Sequence, residues 1–131
     1  MASFRDLMVW QKAMRLVTEV YRLSQVFPPD ERFGLTSQLR RCAVSVPSNI
    51  AEGYARNSSG DYVRFLRVAA GSLYEMETQI EVAKNLGYLD AVRFEATVGS
   101  TGEIGRMLGS LIRKVEAATR SPDESASKRC P

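Results

Sequence analysis

Six arginines, Arg32, Arg40, Arg41, Arg56, Arg64 and Arg67, face only two acids between positions 32 and 67, Glu52 and Asp61. That stretch therefore carries +4 in a chain whose total is +3. A guanidinium presents a planar fork of donors suited to phosphate oxygens, and a cluster of them can hold a nucleic-acid backbone without any catalytic group. The same residues also fit a solvated, ion-paired face. Glu52 stands four residues before Arg56, the favourable order for a helical pair, and Arg41 is placed to meet a carboxylate across a bundle. Along the chain no aromatic side chains alternate with these arginines as a single-strand stacking platform requires, and no helix-turn-helix or RNA-binding signature accompanies them.

The remaining residues offer little for catalysis. Histidine is absent, which removes the commonest general base and transition-metal ligand. Ser45 and Ser48 have no histidine to activate them, and Cys42 falls on an apolar helix side, where a thiol behaves as a small hydrophobe. Glu77 and Glu81, one helical turn apart, could share a metal with Glu52 or Glu75. The Glu-x-x-His pairs of bundle-core metal sites are missing, however, so a solvated face is the expectation. The glycines of the last helix have neither P-loop nor dinucleotide spacing. Cys42 and Cys130 read as free thiols, without metal or redox spacing. No enzyme, catalytic residue, metal site or cofactor is expected.

Four amphipathic helices must position these residues. Leu7 to Phe27 sets Val9, Ala13, Leu16, Val17, Val20 and Ser24 on one side, with Ser3 or Asp6 to cap it and Pro28-Pro29 to end it. Gly34 to Arg56 sets Leu35, Leu39, Cys42, Val46, Ile50 and Gly53 on one side. Pro47, which removes a backbone bond, predicts a kinked continuous helix, with two helices broken there as the other reading. A third helix follows the turn Asn57 to Gly60, capped by Ser58 or Ser59, with Tyr62, Phe65, Leu66, Ala69, Leu73, Met76, Ile80 and Ala83 inward and Gly87 as its stop. Asp90 caps a fourth, whose face is Phe94, Thr97, Thr101, Ile104, Leu108, Leu111, Ile112 and Val115.

Gly99, Gly102, Gly105 and Gly109 cost that fourth helix about 1 kcal/mol each relative to alanine. Close helix approach and simple tolerance in a last helix both account for them. Residues 1–120 thus read as one all-α domain, an up-and-down antiparallel four-helix bundle with a kinked second helix, and residues 121–131 as a disordered tail. Two strips are left over: Arg40, Val44, Ala51 and Ala55 on the second helix, small or apolar apart from the arginine, and the apolar Val68, Val82 and Leu86 off the core side of the third. They predict contacts between copies of the chain. No apolar run is long enough for a membrane span, and Arg5, Asp6 and Lys12 surround any signal core, so a cytoplasmic protein without a membrane partner is expected.

Four blocks over residues 4–90, FRDLMVWQKA, VYRLSQVFPPDERFGLTSQLRR, AVSVPSNIAEGYAR and DYVRFLRVAAGSLYEMETQIEVAKNLGYL, resemble a family of small bacterial four-helix-bundle proteins. These are the S23-like proteins, first known as products of intervening sequences inside 23S ribosomal RNA genes. The family is similar to the accessory variability determinant proteins of diversity-generating retroelements, which are basic pentameric barrels that partner a reverse transcriptase and bind nucleic acid. The resemblance implies a ring-like homopentamer, a basic stretch at Arg40, Arg41 and Arg56, and no catalytic residues. The expected function is a non-enzymatic oligomeric scaffold or accessory factor associated with RNA or DNA. The alternative is a structural module that docks a protein partner and binds no nucleic acid.

Overall fold

Proline sets the first boundary. A residue before proline is driven to extended backbone, and Phe27 sits at φ −67°, ψ 150°. Helix α1 (Met8–Leu23) accordingly gives way to a 3-10 turn, Ser24–Val26, short of the expected end at Phe27. The computed structural model describes residues 3–119, so the expected disordered tail, with Cys130, lies outside the described residues. Among those described there are four α-helices, three short 3-10 turns and no strand. Ser3 caps the 3-10 turn Phe4–Asp6 rather than α1 itself, accepting from the Arg5 N–H at 3.1 Å.

Helix α2 (Leu35–Tyr54) runs unbroken through Pro47. Its buried face is Thr36, Leu39, Ala43, Val46, Pro47, Ile50 and Gly53, while Leu35 and Cys42, expected at its centre, lie at its margin. The face is turned toward the proline because a pyrrolidine ring is apolar and leaves no N–H to satisfy, so it belongs inside. Helix α3 (Ser59–Asn85) is capped by Ser58, whose hydroxyl accepts from the Asp61 N–H at 3.1 Å. Val63 and Ser72 are buried on it, and Tyr62 and Phe65, expected in the core, are only half-buried. Gly87 ends α3 at φ 81°, with its N–H on the Lys84 carbonyl at 2.9 Å and the Tyr88 N–H on the Ala83 carbonyl at 2.8 Å. Those two bonds form the Schellman closure that favours glycine. Asp90 then caps α4 (Ala91–Thr119), accepting from the Arg93 N–H at 2.8 Å.

Cross-helix partners fix the direction. Arg67 meets Glu116 and Glu77 meets Thr101, so position falls along α4 as it rises along α3. Ser45 bonds Ser72, and Gly53 abuts Tyr62 and Phe65, which makes α2 and α3 antiparallel as well. Helix α1 packs on both α2 and α4 and closes the bundle. All four helices contribute to the fully buried centre, with Leu16, Leu39, Ile50, Leu66, Met76, Ile80, Ile104 and Leu108. Each such side chain contributes roughly 1.5–3 kcal/mol of burial.

The α4 glycines do not mark a close approach within the chain. A Cβ at Gly99 would meet nothing within 4 Å, and one at Gly105 would lie an ordinary 3.6 Å from Leu73 Cδ2. Gly99→Ala is therefore expected to stabilise the fold by about 0.5–1 kcal/mol through helix propensity. A urea or thermal melt reads the gain, and a loss of stability would contradict an open site.

Candidate functional site

The structure divides the six arginines into two groups at opposite ends of α2. Arg56, Arg64 and Arg67 stand where α2 passes into α3, and each has a carboxylate. Arg56 Nη2 lies 2.7 Å from Glu52, the pair expected from spacing; Arg64 reaches Asp61 at 3.5 Å; Arg67 reaches Glu116 on α4 at 2.8 Å. The Arg56 and Arg64 guanidinium carbons also lie 4.7 and 4.5 Å from the centre of the Phe65 ring. These are exposed pairs, each worth at most about 1 kcal/mol, but they neutralise their arginines locally.

Arg32, Arg40 and Arg41 form no ion pair among the described residues, and they line one groove of ≈ 640 Å³ with Tyr21, Phe33 and Ser37. Arg40 is half-buried and committed to α1: its Nε donates to Ser24 Oγ at 2.8 Å and its Nη2 to the Tyr21 carbonyl at 3.2 Å. Its guanidinium carbon also lies 4.6 Å from the Tyr21 ring centre. Arg41 is exposed and makes no hydrogen bond among the described residues. Arg32 lies against the ring of Phe33, 5.3 Å from its centre, and that ring is 87 % exposed.

The start of α2 is already capped. Its N-cap, Gly34, has no side chain to close the first turn, and a carboxylate three residues earlier closes it instead. The nearby carboxylate of Glu31 is already occupied. It accepts from the Leu35 N–H at 3.1 Å with one oxygen and from the Tyr88 hydroxyl at 2.9 Å with the other. The Tyr88 hydroxyl is held above its ordinary pKa by that bond first and by burial second.

Aromatic side chains do accompany these arginines, which corrects the expectation from the sequence. Tyr21 arrives from α1, and Phe33 and Phe65 adjoin Arg32 and Arg64 in the chain itself. The adjacency Arg32-Phe33 was the available signal. Of the strips expected between copies, Val44, Ala55, Val68, Val82 and Leu86 are exposed and Ala51 is half-buried. Val44 borders the groove.

The other polar candidates serve the fold. Glu77 does not sit on a solvated face: its carboxylate is half-buried and accepts from the buried Thr101 hydroxyl at 2.6 Å, tying α3 to α4. Ser45 shares a 2.7 Å hydrogen bond with Ser72 and takes another from Asn49. Burial, followed by the neighbouring Glu75 charge, pushes the Cys42 thiol above its ordinary pKa, which makes it a poor nucleophile. Burial likewise raises Tyr62, whose ring meets Tyr54 edge-on at 6.0 Å. Among the described residues no three histidine, cysteine or acidic side chains converge on a possible metal position, and no helix is long and apolar enough to cross a membrane.

Residues 5–110 match the family model of the 23S rRNA-intervening sequence protein. The fold is similar to a crystal structure at 1.70 Å resolution of a protein with unknown function from the S23 ribosomal protein family of Bacteroides thetaiotaomicron VPI-5482. The TM-score is 0.73 at 22% identity, over 80% of this chain and 98% of that one. No curated protein matches the sequence.

Proposed function

The chain belongs to the 23S rRNA-intervening sequence protein family, and from that premise we propose that it is a non-enzymatic, self-assembling bundle that contacts nucleic acid through the groove at the start of α2. One observation carries this reading. Three of the six clustered arginines are paired with acids, and the three that are not share one groove. Guanidinium groups without an ion-pair partner form a field that attracts phosphate. Arg32 and Arg41 are its free donors, while Arg40 frames it.

Self-assembly into a ring of five belongs to the same proposal. Its support is the resemblance to pentameric barrels together with the exposed Val68, Val82 and Leu86 along α3. A reducing, cytoplasmic setting suits the free, half-buried Cys42.

Gel shifts over a salt series on structured RNA and duplex DNA test the nucleic-acid contact. The double variant Arg32→Glu, Arg41→Glu should bind at least about tenfold more weakly, because each charge-assisted contact is worth about 1.5–3 kcal/mol. Absence of binding at about 50 mM salt, where phosphate contact is strong, or an unchanged affinity in the variant, would end the proposal. Native mass spectrometry of protein purified without nuclease reads subunit number and retained nucleic acid together.

A further inference from the structure

Phe33 is the most exposed large apolar side chain of the described residues at 87 %, and it does not hang from a loose loop. The turn that carries it is closed by successive backbone bonds, Glu31 N–H to the Pro28 carbonyl at 2.9 Å, Arg32 N–H to Pro29 at 3.1 Å and Gly34 N–H to Glu31 at 3.0 Å. Glu31 fastens the same turn to α2 and to Tyr88. The ring is thus held out at the mouth of a groove whose ≈ 640 Å³ lies within the usual ligand-site range of about 300–1,000 Å³. Arg32 lies beside the ring, and Arg41 lines the same groove with no ion pair among the described residues.

An exposed aromatic ring with one guanidinium group against it and a second on the same groove matches what an unpaired nucleotide offers, a base face and its flanking phosphates. A duplex offers only the phosphates, since its base faces are covered by their neighbours. We infer that this groove takes single-stranded nucleic acid, with one unstacked base on Phe33 and the adjoining phosphates on Arg32 and Arg41. This rests on the reading of the groove as the nucleic-acid contact. RNA and DNA share the recognised chemistry.

The test is fluorescence anisotropy of labelled oligonucleotides of roughly 12 nucleotides, about the span one small domain covers, as oligo-U, as oligo-dT and as a duplex of equal length. Single strands should bind at least about fivefold tighter than duplex, and Phe33→Leu should remove most of that preference, in keeping with the weight of one stacked base. Stacking carries no charge, so Phe33→Leu should leave the salt slope unchanged, whereas Arg41→Gln should lower it by about 0.7 on a single strand. Phe33→Trp should keep the affinity and report the base by quenching of its fluorescence. Equal affinity of oligo-U and oligo-dT identifies the base and phosphate as the shared target; a preference for oligo-U alone assigns the strand as RNA.

Failure has distinct forms. Loss of binding in Arg41→Gln with no effect of Phe33→Leu overturns the single-strand inference and leaves the phosphate contact standing. Duplex binding as tight as single-strand binding does the same. No binding of any oligonucleotide ends both readings, and a changed subunit number in Phe33→Leu reassigns the ring to a contact between copies.

Discussion

Gly53→Ala is expected to destabilise the bundle by about 2–3 kcal/mol, the usual cost of forcing a methyl into a filled contact, and to lower the melting temperature by roughly 8–12 °C. A Cβ at Gly53 would lie 2.8 Å from Phe65 Cβ, 3.1 Å from Tyr62 Cδ1 and 3.2 Å from the Tyr62 carbonyl oxygen. Neither a Cβ nor a carbonyl can rotate away, so α2 and α3 must separate where they pack. Alanine's better helix propensity returns about 1 kcal/mol, too little to reverse the sign. Truncating the ring should not help, because Phe65→Ala keeps the Cβ that is in the way. Glycine at 65 would remove the 2.8 Å contact but leave the Tyr62 carbonyl oxygen 3.2 Å away.

A thermal melt of Gly53→Ala beside Gly99→Ala separates this from a general effect of losing a glycine, since the two substitutions should move in opposite directions. A Gly53→Ala protein as stable as the parent would show that the helices are not in contact there. The groove lies about 18 Å up the helix from Gly53, at 1.5 Å per residue to Arg41. Nucleic-acid affinity per folded molecule should therefore survive the substitution.

The features that could be read from sequence are those governed by neighbours in the chain. Ser58 and Asp90 cap helices because their hydroxyl and carboxylate reach N–H groups three residues on, and Gly87 ends α3 because its backbone is left-handed. Glu52 and Arg56 pair across one turn. What periodicity left unsettled is rotation. On α2 two adjacent strips are both small and apolar, and the buried ring of Pro47 decides which one turns inward, taking Ala43 with it and leaving Cys42 at the edge.

The groove was half legible. Its arginines stand out in composition, but composition does not tell which of them have acids. Glu116 lies 49 positions from the Arg67 it neutralises, and Ser24 lies 16 positions from the Arg40 it binds. Tyr21 likewise joins the groove from α1, with no spacing to announce it.

Arg40 shows the consequence for the site. By sequence it is half of an Arg-Arg pair, and charge reversal there looks like a direct test of phosphate binding. In the fold it secures the end of α1. Ser24, 2 % exposed, donates to the Val20 carbonyl at 2.7 Å and accepts from Arg40, while the Tyr21 carbonyl at the open end of the helix receives the second guanidinium bond. Arg40→Met keeps the apolar stem and removes the donors. It leaves a buried hydroxyl and a helix-terminal carbonyl with one bond fewer and deletes the cation over Tyr21. Charged hydrogen bonds of about 1.5–3 kcal/mol and a dipole contribution of about 0.3–1 kcal/mol overlap here, so a loss of about 2 kcal/mol is expected.

Arg40→Lys should recover only part of that loss, because an ammonium has no fork to span Ser24 and Tyr21 together. Arg41→Met, with no partner to lose, should change stability by less than about 0.5 kcal/mol. Urea midpoints and oligonucleotide affinities measured on the same three variants should therefore fall in opposite orders: Arg40 dominates the first and Arg41 the second. If Arg40→Met unfolds no more readily than Arg41→Met, the two residues are alike after all, and the pair acts as one basic patch.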